Sequence, residues 1–316
     1  MTKKIRWVIA HEPIDLFLRA AENFSQEVYD ATNGKFDIEI LSLTDYSIKY
    51  NNGQKITKHD LIKLMEEGVV EMSQMYTYVL GNYNKDFWAL DMPFLIEDHQ
   101  HADAILEGPI GKGMLNRLAE TSRVRGLAFT YSGGYKCLPT NVEFTTMSDF
   151  KNKRIRTSNS PVSRDTFTAI GAIPVSLEVE QLAQAGNENV VDAGESTYIR
   201  ILPLKQEKAF AQVSNTEHSL LMTSIIIGDD FWNSLTAEEQ KVIGDAAFRA
   251  ARTERRESVE NAEDVKELLG TRNTHLTAED QVLFQELTAP LYDKYRDFFS
   301  SGLLDEMIEA GKSIKE

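Results

Sequence analysis

The sequence predicts an α/β fold of two lobes with one long helix spanning both. Short β-rich runs alternate with amphipathic helical patterns through the first two-thirds of the chain, which favours a mostly parallel sheet. A chain of 316 residues is long enough to bury the cores of two lobes. The segment 236–270 contains no proline, and about 34 residues of helix there would extend roughly 50 Å, beyond a normal domain helix.

The first lobe is expected at 1–133 plus 222–261. Its predicted elements are strands at 5–10, 36–41 and 69–76, helices at 16–34 and 59–68, and a returning strand at 220–228. Thr57 and Asp60 resemble a capping box for the second of these helices. Ligands of such sheets bind beyond the carboxyl ends of the strands. His11, Glu12 and Tyr76 lie at or just past such ends.

The second lobe is expected at 134–221 plus 262–316. Short strands are predicted in YKCLPTN, KRIRTS, IPVSLEV and VVDAGE. Thr236 and Glu239 have the spacing of a capping box at the start of the long helix, and Gly270 follows its end.

Composition excludes several functions. The formal net charge of −15 repels phosphate backbones, so we expect no nucleic-acid partner. The single cysteine, Cys137, excludes an internal disulfide and gives no zinc cluster. No run has the roughly 18 apolar residues needed to cross a bilayer. The start, MTKKIRWVIAHEP, lacks the apolar core of a signal peptide, so we expect either a cytoplasmic protein or one whose export signal was removed.

A cationic strand, KRIRT, is the strongest candidate for a binding element. Alternation places Arg154 and Arg156 on one face and Ile155 on the other. Arginine suits a carboxylate because its planar fork donates two parallel hydrogen bonds and stays charged. A solvated pair on an edge strand is the competing interpretation. Lys136 is a candidate second cation, with an exposed lysine as its alternative.

The sequence lacks several motifs that are typical of enzymes. The chain has no nucleophile elbow, P-loop or H-E-x-x-H sequence, and its glycines form no dinucleotide fingerprint. DHQHAD at 98–103 offers possible metal ligands, but His99 and His101 point apart on a helix, so a solvated helix start is favoured. We therefore expect no catalytic residue, no metal and no cofactor.

The order of several segments resembles the extracytoplasmic solute-binding proteins of tripartite ATP-independent periplasmic (TRAP) transporters, the DctP-type family. The resemblance covers nearly the whole chain and rests on TNGKFDIEIL, EEGVVEMSQM, MPFLIED, GGYKCLPTN, DFKNKRIRTSNSP, AIGAIPVSLEVEQLAQAGNENVVDAGES, NTEHS and DDFWNSLTAEEQKVIGDAA. It implies a periplasmic-binding-protein-like fold, a periplasmic location, no enzymatic activity, and the small and large TRAP membrane permease subunits as partners.

The resemblance also implies a set of ligand-binding residues. Arg156 matches the strand arginine that pairs with the ligand carboxylate, and Lys136 stands where many members have a second arginine. Asn159 matches a polar pocket position, and Tyr76 a ligand-selecting position of the other lobe. Asp192 matches a position that we interpret as mainly structural. The full expected set is Arg156, Lys136, Asn159, Glu195, Ser196, Tyr76, His11, Glu12 and Tyr198.

Departures from the family pattern leave the ligand open. Gln181, Ala183 and Gly194 replace a glutamate, a tyrosine and a glutamine that are common in the family. The expected function is a monomeric receptor that closes its lobes on a small organic acid anion, such as a sugar acid or keto acid, around Arg156. A sulfonate is the alternative ligand. A cytoplasmic α/β enzyme acting on an organic acid is the alternative from another class.

Overall fold

Two compact units make up the chain. A computed structural model describes residues 2–11 and 15–315. Unit 1 comprises Met1–Asn84, Leu106–Tyr131 and Met222–Glu257, and unit 2 comprises Lys85–Ile105, Ser132–Leu221 and Ser258–Glu316. Each unit combines one sheet with helices, as the predicted two-lobed α/β class requires.

The sheet of unit 1 has five strands in the order β2-β1-β3-β10-β4. Their bounds are β1 Lys3–Ile9, β2 Phe36–Leu41, β3 Met72–Tyr76, β4 Val124–Tyr135 and β10 Leu220–Gly228. Strand β1 pairs in parallel with β2 and β3, and β10 lies antiparallel to β3. The predicted βαβαβ order and the returning strand at 220–228 are therefore confirmed.

The helices of unit 1 begin and end where short-range signals place them. Helix α1 ends just before Gly34, whose φ of +72° is readily adopted by glycine. Thr57 donates its backbone N–H to Asp60 at 2.7 Å, which confirms the predicted cap of α3. The helices here are α1 Asp15–Thr32, α2 Leu43–Tyr50, α3 Lys58–Glu66, α4 Thr77–Leu80, α6 Pro109–Thr121 and α11 Asp229–Asn233.

The sheet of unit 2 has six short strands in the order β11-β9-β5-β8-β6-β7. Their bounds are β5 Leu138–Thr140, β6 Arg154–Thr157, β7 Ile173–Ser176, β8 Ala193–Gly194, β9 Gln212–Ser214 and β11 Asn273–Thr274. Strand β6 lies between β8 and β7 and pairs in parallel with both. The cationic KRIRT segment is thus an interior strand, and the edge-strand interpretation is wrong.

The core of unit 2 is rich in phenylalanine. Phe144 and Phe150 stack at 4.3 Å between ring centroids, and Phe284 packs edge-on to Phe94 at 5.1 Å. Apart from the long helix α12, the helices of this unit are α5 His99–Glu107, α7 Pro161–Ala169, α8 Leu182–Asn187, α9 Tyr198–Ile201, α10 Gln206–Ala209, α13 Ala278–Thr288, α14 Pro290–Arg296 and α15 Leu303–Lys315.

One long helix, α12, runs from Ala237 to Leu269 over 33 residues. Its residues up to Glu257 belong to unit 1 and those from Ser258 to unit 2, as the predicted helix shared by both lobes requires. Its start is a capping box, because Thr236 N–H donates to Glu239 at 2.8 Å and Glu239 N–H donates back to the Thr236 hydroxyl at 3.2 Å.

The structure differs from the sequence division at residues 85–105. The sequence placed this segment in the first lobe, whereas it clusters with unit 2. Asp86 accepts hydrogen bonds from the N–H and hydroxyl of Ser300 at 2.8 and 2.7 Å, and Tyr292 donates to the Pro93 carbonyl at 2.8 Å. These contacts with helix α14 and with the loop after it hold the segment in unit 2.

Candidate functional site

Arg156 lies on β6, the interior strand next to the edge strand β7 of the unit 2 sheet. It pairs with Val175 of β7 on one side and with Gly194 of β8 on the other. The residue is only 3% exposed, so its guanidinium is held among protein groups. A cation in such a position must be compensated by hydrogen bonds, because burial penalises charge.

Two backbone carbonyls orient the Arg156 guanidinium. Its Nε donates to the Leu177 carbonyl at 2.7 Å and its Nη1 donates to the Glu195 carbonyl at 2.9 Å. Carbonyl oxygens satisfy donors without cancelling the positive charge. The fork is thereby fixed while the arginine remains a cation.

Arg154, on the same face of β6, has a different environment. Its Nη2 forms an ion pair with Asp192 at 2.8 Å, and 40% of its side chain is exposed. Asp192 also accepts from the Arg154 backbone N–H at 2.8 Å, which supports the structural role expected for this aspartate. Arg156, the anchor that the family resemblance implies, is the more deeply buried of the two arginines.

Gly194 permits the close approach of β8 to Arg156. A Cβ atom at Gly194 would lie 2.9 Å from the Arg156 Cβ and 2.4 Å from Leu182 Cδ1. Both distances are too short for carbon atoms in contact. Gly194, noted in the sequence only as a departure, is therefore needed to position the arginine.

The carboxylate of Glu195 is the centre of a buried polar network. It pairs with Lys136 Nζ at 3.2 Å and with His218 Nε2 at 3.0 Å, and the Ser163 hydroxyl donates to it. Lys136 pairs in addition with Asp91 at 3.1 Å. Lys136, Asp91, Glu195 and His218 are each at most 3% exposed, so the alternative of an exposed Lys136 is wrong.

The charges in this network are set by burial and by mutual pairing. Burial would lower the pKa of Lys136, but Asp91 and Glu195 outweigh it and raise that pKa. Burial would raise the pKa of Glu195, yet Lys136, His218 and Ser163 hold it far below its usual range. Burial lowers the pKa of His218. A neutral His218 protonated at Nε2 donates to Glu195 and accepts from the Thr216 hydroxyl at 2.8 Å.

The other expected residues of unit 2 are placed differently. Ser196 is buried and donates its hydroxyl to Gln206 at 2.8 Å, while Asn159 is exposed in the loop between β6 and α7. Tyr198 contacts Asn273 through its hydroxyl at 3.3 Å and lies under the Lys266 ammonium. The contacts of Tyr198 are thus with the C-terminal part of the unit, whereas Arg156 contacts Leu177 and Glu195.

In unit 1, His11 and Tyr76 belong to one buried aromatic cluster. Their rings are 5.8 Å apart and nearly perpendicular, and Tyr78 stacks on Tyr76 at 5.2 Å. The buried ammonium of Lys58 lies 5.6 Å from the centre of the Tyr76 ring. Glu12 lies outside the described residues. Sequence reasoning missed Lys58, whose polar helix-start context gives no signal of burial.

The DHQHAD segment begins helix α5. Asp98 accepts from the His101 backbone N–H at 2.8 Å, and the buried His101 ring contacts the Met307 carbonyl through Nε2 at 2.8 Å. This end of α5 is therefore a capped and partly buried helix start. Within the described part of the chain, no group of three or more His, Cys, Asp or Glu residues is arranged to hold a metal ion.

Asp91, Ser163 and His218 were missed as members of the network. They lie far apart in the sequence: Asp91 is in an apolar run, Ser163 is on helix α7 and His218 is in the polar loop between β9 and β10. The partner of His218 in this network is Glu195. A single sequence carries no signal that would join these positions.

Comparison with known proteins identifies the family to which the chain is similar. The profile of the bacterial extracellular solute-binding proteins, family 7 (DctP), matches residues 9–297. The C4-dicarboxylate-binding periplasmic protein DctP of Rhodobacter capsulatus is 24% identical over 281 residues, covering 87% of this chain and 81% of that protein.

Solved structures show the same fold over the whole length. A TRAP periplasmic solute-binding protein from Ochrobactrum anthropi is 25% identical, with a TM-score of 0.84 over 99% of this chain and 96% of that one. The sugar acid binding protein DctPAm of Advenella mimigardefordensis, in complex with galactonate, is 20% identical, with a TM-score of 0.86 over 99% and 98%.

These relatives are transport proteins that bind solutes rather than enzymes. In the part of this chain that the structure describes, no helix has an apolar stretch long enough to cross a bilayer. The profile match spans most of the sequence and includes β6 and the Glu195 network. The chain therefore belongs to the bacterial extracellular solute-binding proteins of family 7, the DctP family.

Proposed function

We propose that this protein is the extracytoplasmic receptor of a TRAP-type transporter and that it binds a small organic acid anion through Arg156. The single observation that carries the proposal is the Arg156 guanidinium, buried on an interior strand and oriented by the carbonyls of Leu177 and Glu195. A positioned guanidinium is the side chain best suited to hold a planar carboxylate.

Lys136 and Glu195 support the arginine in this proposal. Lys136 holds the Glu195 carboxylate, and the Glu195 carbonyl holds Arg156. Lys136 thus fixes the residue that orients Arg156, while Asp91 and Glu195 balance its own charge. Asn159 is exposed in the loop that follows β6, and it is the candidate for a hydrogen bond to a hydroxyl or keto group of the ligand.

Small carboxylates are the proposed ligand class, and two relatives define its range. One is named for C4-dicarboxylates and the other was crystallised with the sugar acid galactonate. Both ligands carry a carboxylate that an arginine can pair with. Closure of the lobes around the acid belongs to the same proposal, since an arginine–carboxylate pair strengthens when water is removed. The proposed partners are the small and large TRAP permease subunits.

A thermal-shift screen tests the proposal. The panel contains sugar acids, keto acids, dicarboxylates and matched sulfonates. A true ligand raises the melting temperature. At a hundredfold excess over its dissociation constant, it adds about 2.7 kcal/mol to the free energy of unfolding. Recovery of the acid unchanged after incubation separates a receptor from an enzyme. A folded protein that responds to no acid in the panel would contradict the proposal.

A further inference from the structure

A second concave site lies within unit 2, apart from the Arg156 network. It is a partly open pocket of about 630 Å³ between the segment 93–97, the end of β4, residue 217 and helices α13 and α14. Cavities of about 300–1,000 Å³ are typical of small-molecule sites. The size alone is therefore suitable for a small ligand.

The lining of this cavity is acidic and aromatic. Glu97 and Glu217 supply carboxylates, and Phe94, Tyr135 and Tyr292 supply rings. The described residues of its wall include no lysine, arginine or histidine. An anion would be repelled by this wall, whereas a cation gains from both carboxylates and ring faces.

The two tyrosines of the wall are held by hydrogen bonds and lie near its carboxylates. Burial, together with the charges of Asp98, Glu217 and Glu97, raises the pKa of Tyr135. Burial and Glu97 raise the pKa of Tyr292. The two hydroxyls donate to the carbonyls of Ile96 at 3.2 Å and Pro93 at 2.8 Å, which fixes the rings in the wall.

Two wall residues adopt an unusual backbone conformation. Phe94 and Glu217 have φ angles of +57° and +47°, while most other non-glycine residues in this region of φ are asparagines. The Phe94 N–H donates to the His218 carbonyl at 2.8 Å, and the Glu217 N–H donates to the Lys136 carbonyl at 3.2 Å. Such strain persists where the surrounding structure holds it, and it is concentrated at binding sites.

The cavity and the arginine network use neighbouring residues of the same segments. Tyr135 and Glu217 line the cavity, whereas the next residues, Lys136 and His218, direct their side chains to Glu195. Arg156 is not part of the cavity wall. The two sites are adjacent, and their side chains are distinct.

We propose that this cavity binds a small organic cation, a guanidinium or alkylammonium group, independently of the acid held by Arg156. The carboxylates of Glu97 and Glu217 pair with the positive head, and the rings of Tyr135 and Tyr292 pack against it. Glu217 already accepts from Asn215 at 2.9 Å and lies 3.9 Å from Lys266. These contacts orient its carboxylate and weaken its charge only in part, because nearly half of the side chain is exposed.

The probe is butylguanidinium, with butylurea as its uncharged analogue of the same shape. Calorimetry at low ionic strength is expected to show saturable binding of one butylguanidinium and at least about tenfold weaker binding of butylurea. The double variant Glu97→Gln/Glu217→Gln is expected to weaken butylguanidinium binding by at least about tenfold. Arg156→Lys is expected to leave it unchanged.

The matched control is Glu279→Gln/Glu286→Gln. It makes the same change of charge at exposed positions of α13, the helix whose Gln281 and Gln285 line the cavity. Equal binding by the two double variants would overturn the proposal. Equal binding of butylurea and butylguanidinium, or no saturable binding at all, would do the same. Organic-acid binding is measured separately, so failure of this proposal leaves that of the acid receptor distinguishable.

Discussion

The carbonyl oxygen of Glu195 lies 2.9 Å from Nη1 of Arg156 and fixes one arm of its guanidinium. The carboxylate of the same glutamate pairs with Lys136 at 3.2 Å. The residue that orients the arginine is therefore itself anchored by a buried ion pair. This relationship makes the geometry of the proposed acid site depend on groups that need not touch the ligand.

Replacing Lys136 by methionine tests the anchor. The change leaves Asp91 and Glu195 buried without their shared cation, and breaking a buried ion pair costs about 3–5 kcal/mol. Glu195 has a lowered pKa in the folded protein. Its contribution to folding stability is therefore complete above its ordinary pKa of 4.5 and is lost as pH falls through its pKa in the folded protein. We expect Lys136→Met to lower the free energy of unfolding, measured with urea, strongly at pH 7 and less below pH 4.5.

Lys208→Met is the control, because Lys208 is exposed and the charge change is the same. Equal losses of stability in the two variants at neutral pH would show that Lys136 does not anchor Glu195.

Gly194→Ala tests the close approach of β8 to β6. The new methyl group meets Arg156 and Leu182 at distances that require both to move. We expect about 1–3 kcal/mol of destabilisation from overpacking and weaker acid binding, because the arginine shifts from its carbonyl acceptors. Gly244→Ala in α12 is the comparison, since its Cβ makes only an ordinary contact with Trp232 at 3.8 Å. It should raise stability by about 0.5–1 kcal/mol through helix propensity. Normal acid affinity in Gly194→Ala would remove this glycine from the site.

Glu254 gives unit 1 a pH-dependent stability of the opposite sign. It is fully buried on α12, and its Oε1 accepts from Gln74 Nε2 at 2.7 Å, next to the hydroxyls of Thr130 and Thr223. Burial raises its pKa well above 4.5. The folded protein therefore binds a proton that the unfolded chain releases above that pH, and stability falls as pH rises, by up to about 1.4 kcal/mol per pH unit.

Glu254→Gln removes this dependence while keeping an amide oxygen for Gln74. We expect its melting temperature to exceed that of the unmodified protein at pH 8, with the difference vanishing near pH 4.5. Glu267→Gln, at an exposed position of the same helix, should leave the melting temperature unchanged both at pH 8 and near pH 4.5. A constant difference across this pH range would show that Glu254 is ionised in the fold.

Local signals were sufficient for much of the fold. The capping boxes at Thr57 and Thr236 and the end of α1 near Gly34 depend on neighbouring residues, which the sequence displays directly. Alternation in KRIRT predicted the shared face of Arg154 and Arg156 for the same reason. The short helix α2 was missed, although Ser42 and Asp45 form a capping box at its start.

Contacts between distant segments account for the rest. The partners of Lys136 come from positions 91 and 195, and no spacing rule joins them. Segment 85–105 belongs to unit 2 because Asp86 contacts Ser300, more than two hundred residues along the chain. The burial of Lys136 and Lys58 depends on tertiary packing in the same way, so the sequence left the environment of both lysines open.

Titration calorimetry with the acid found in the screen measures whether Arg156 holds the acid group. We predict no measurable binding by Arg156→Ala and at least about tenfold weaker binding by Arg156→Lys, which keeps the charge and loses the fork. Arg154→Lys should bind as the unmodified protein does, since Arg154 pairs with Asp192. Unchanged affinity in a folded Arg156→Ala protein would show that Arg156 does not hold the acid.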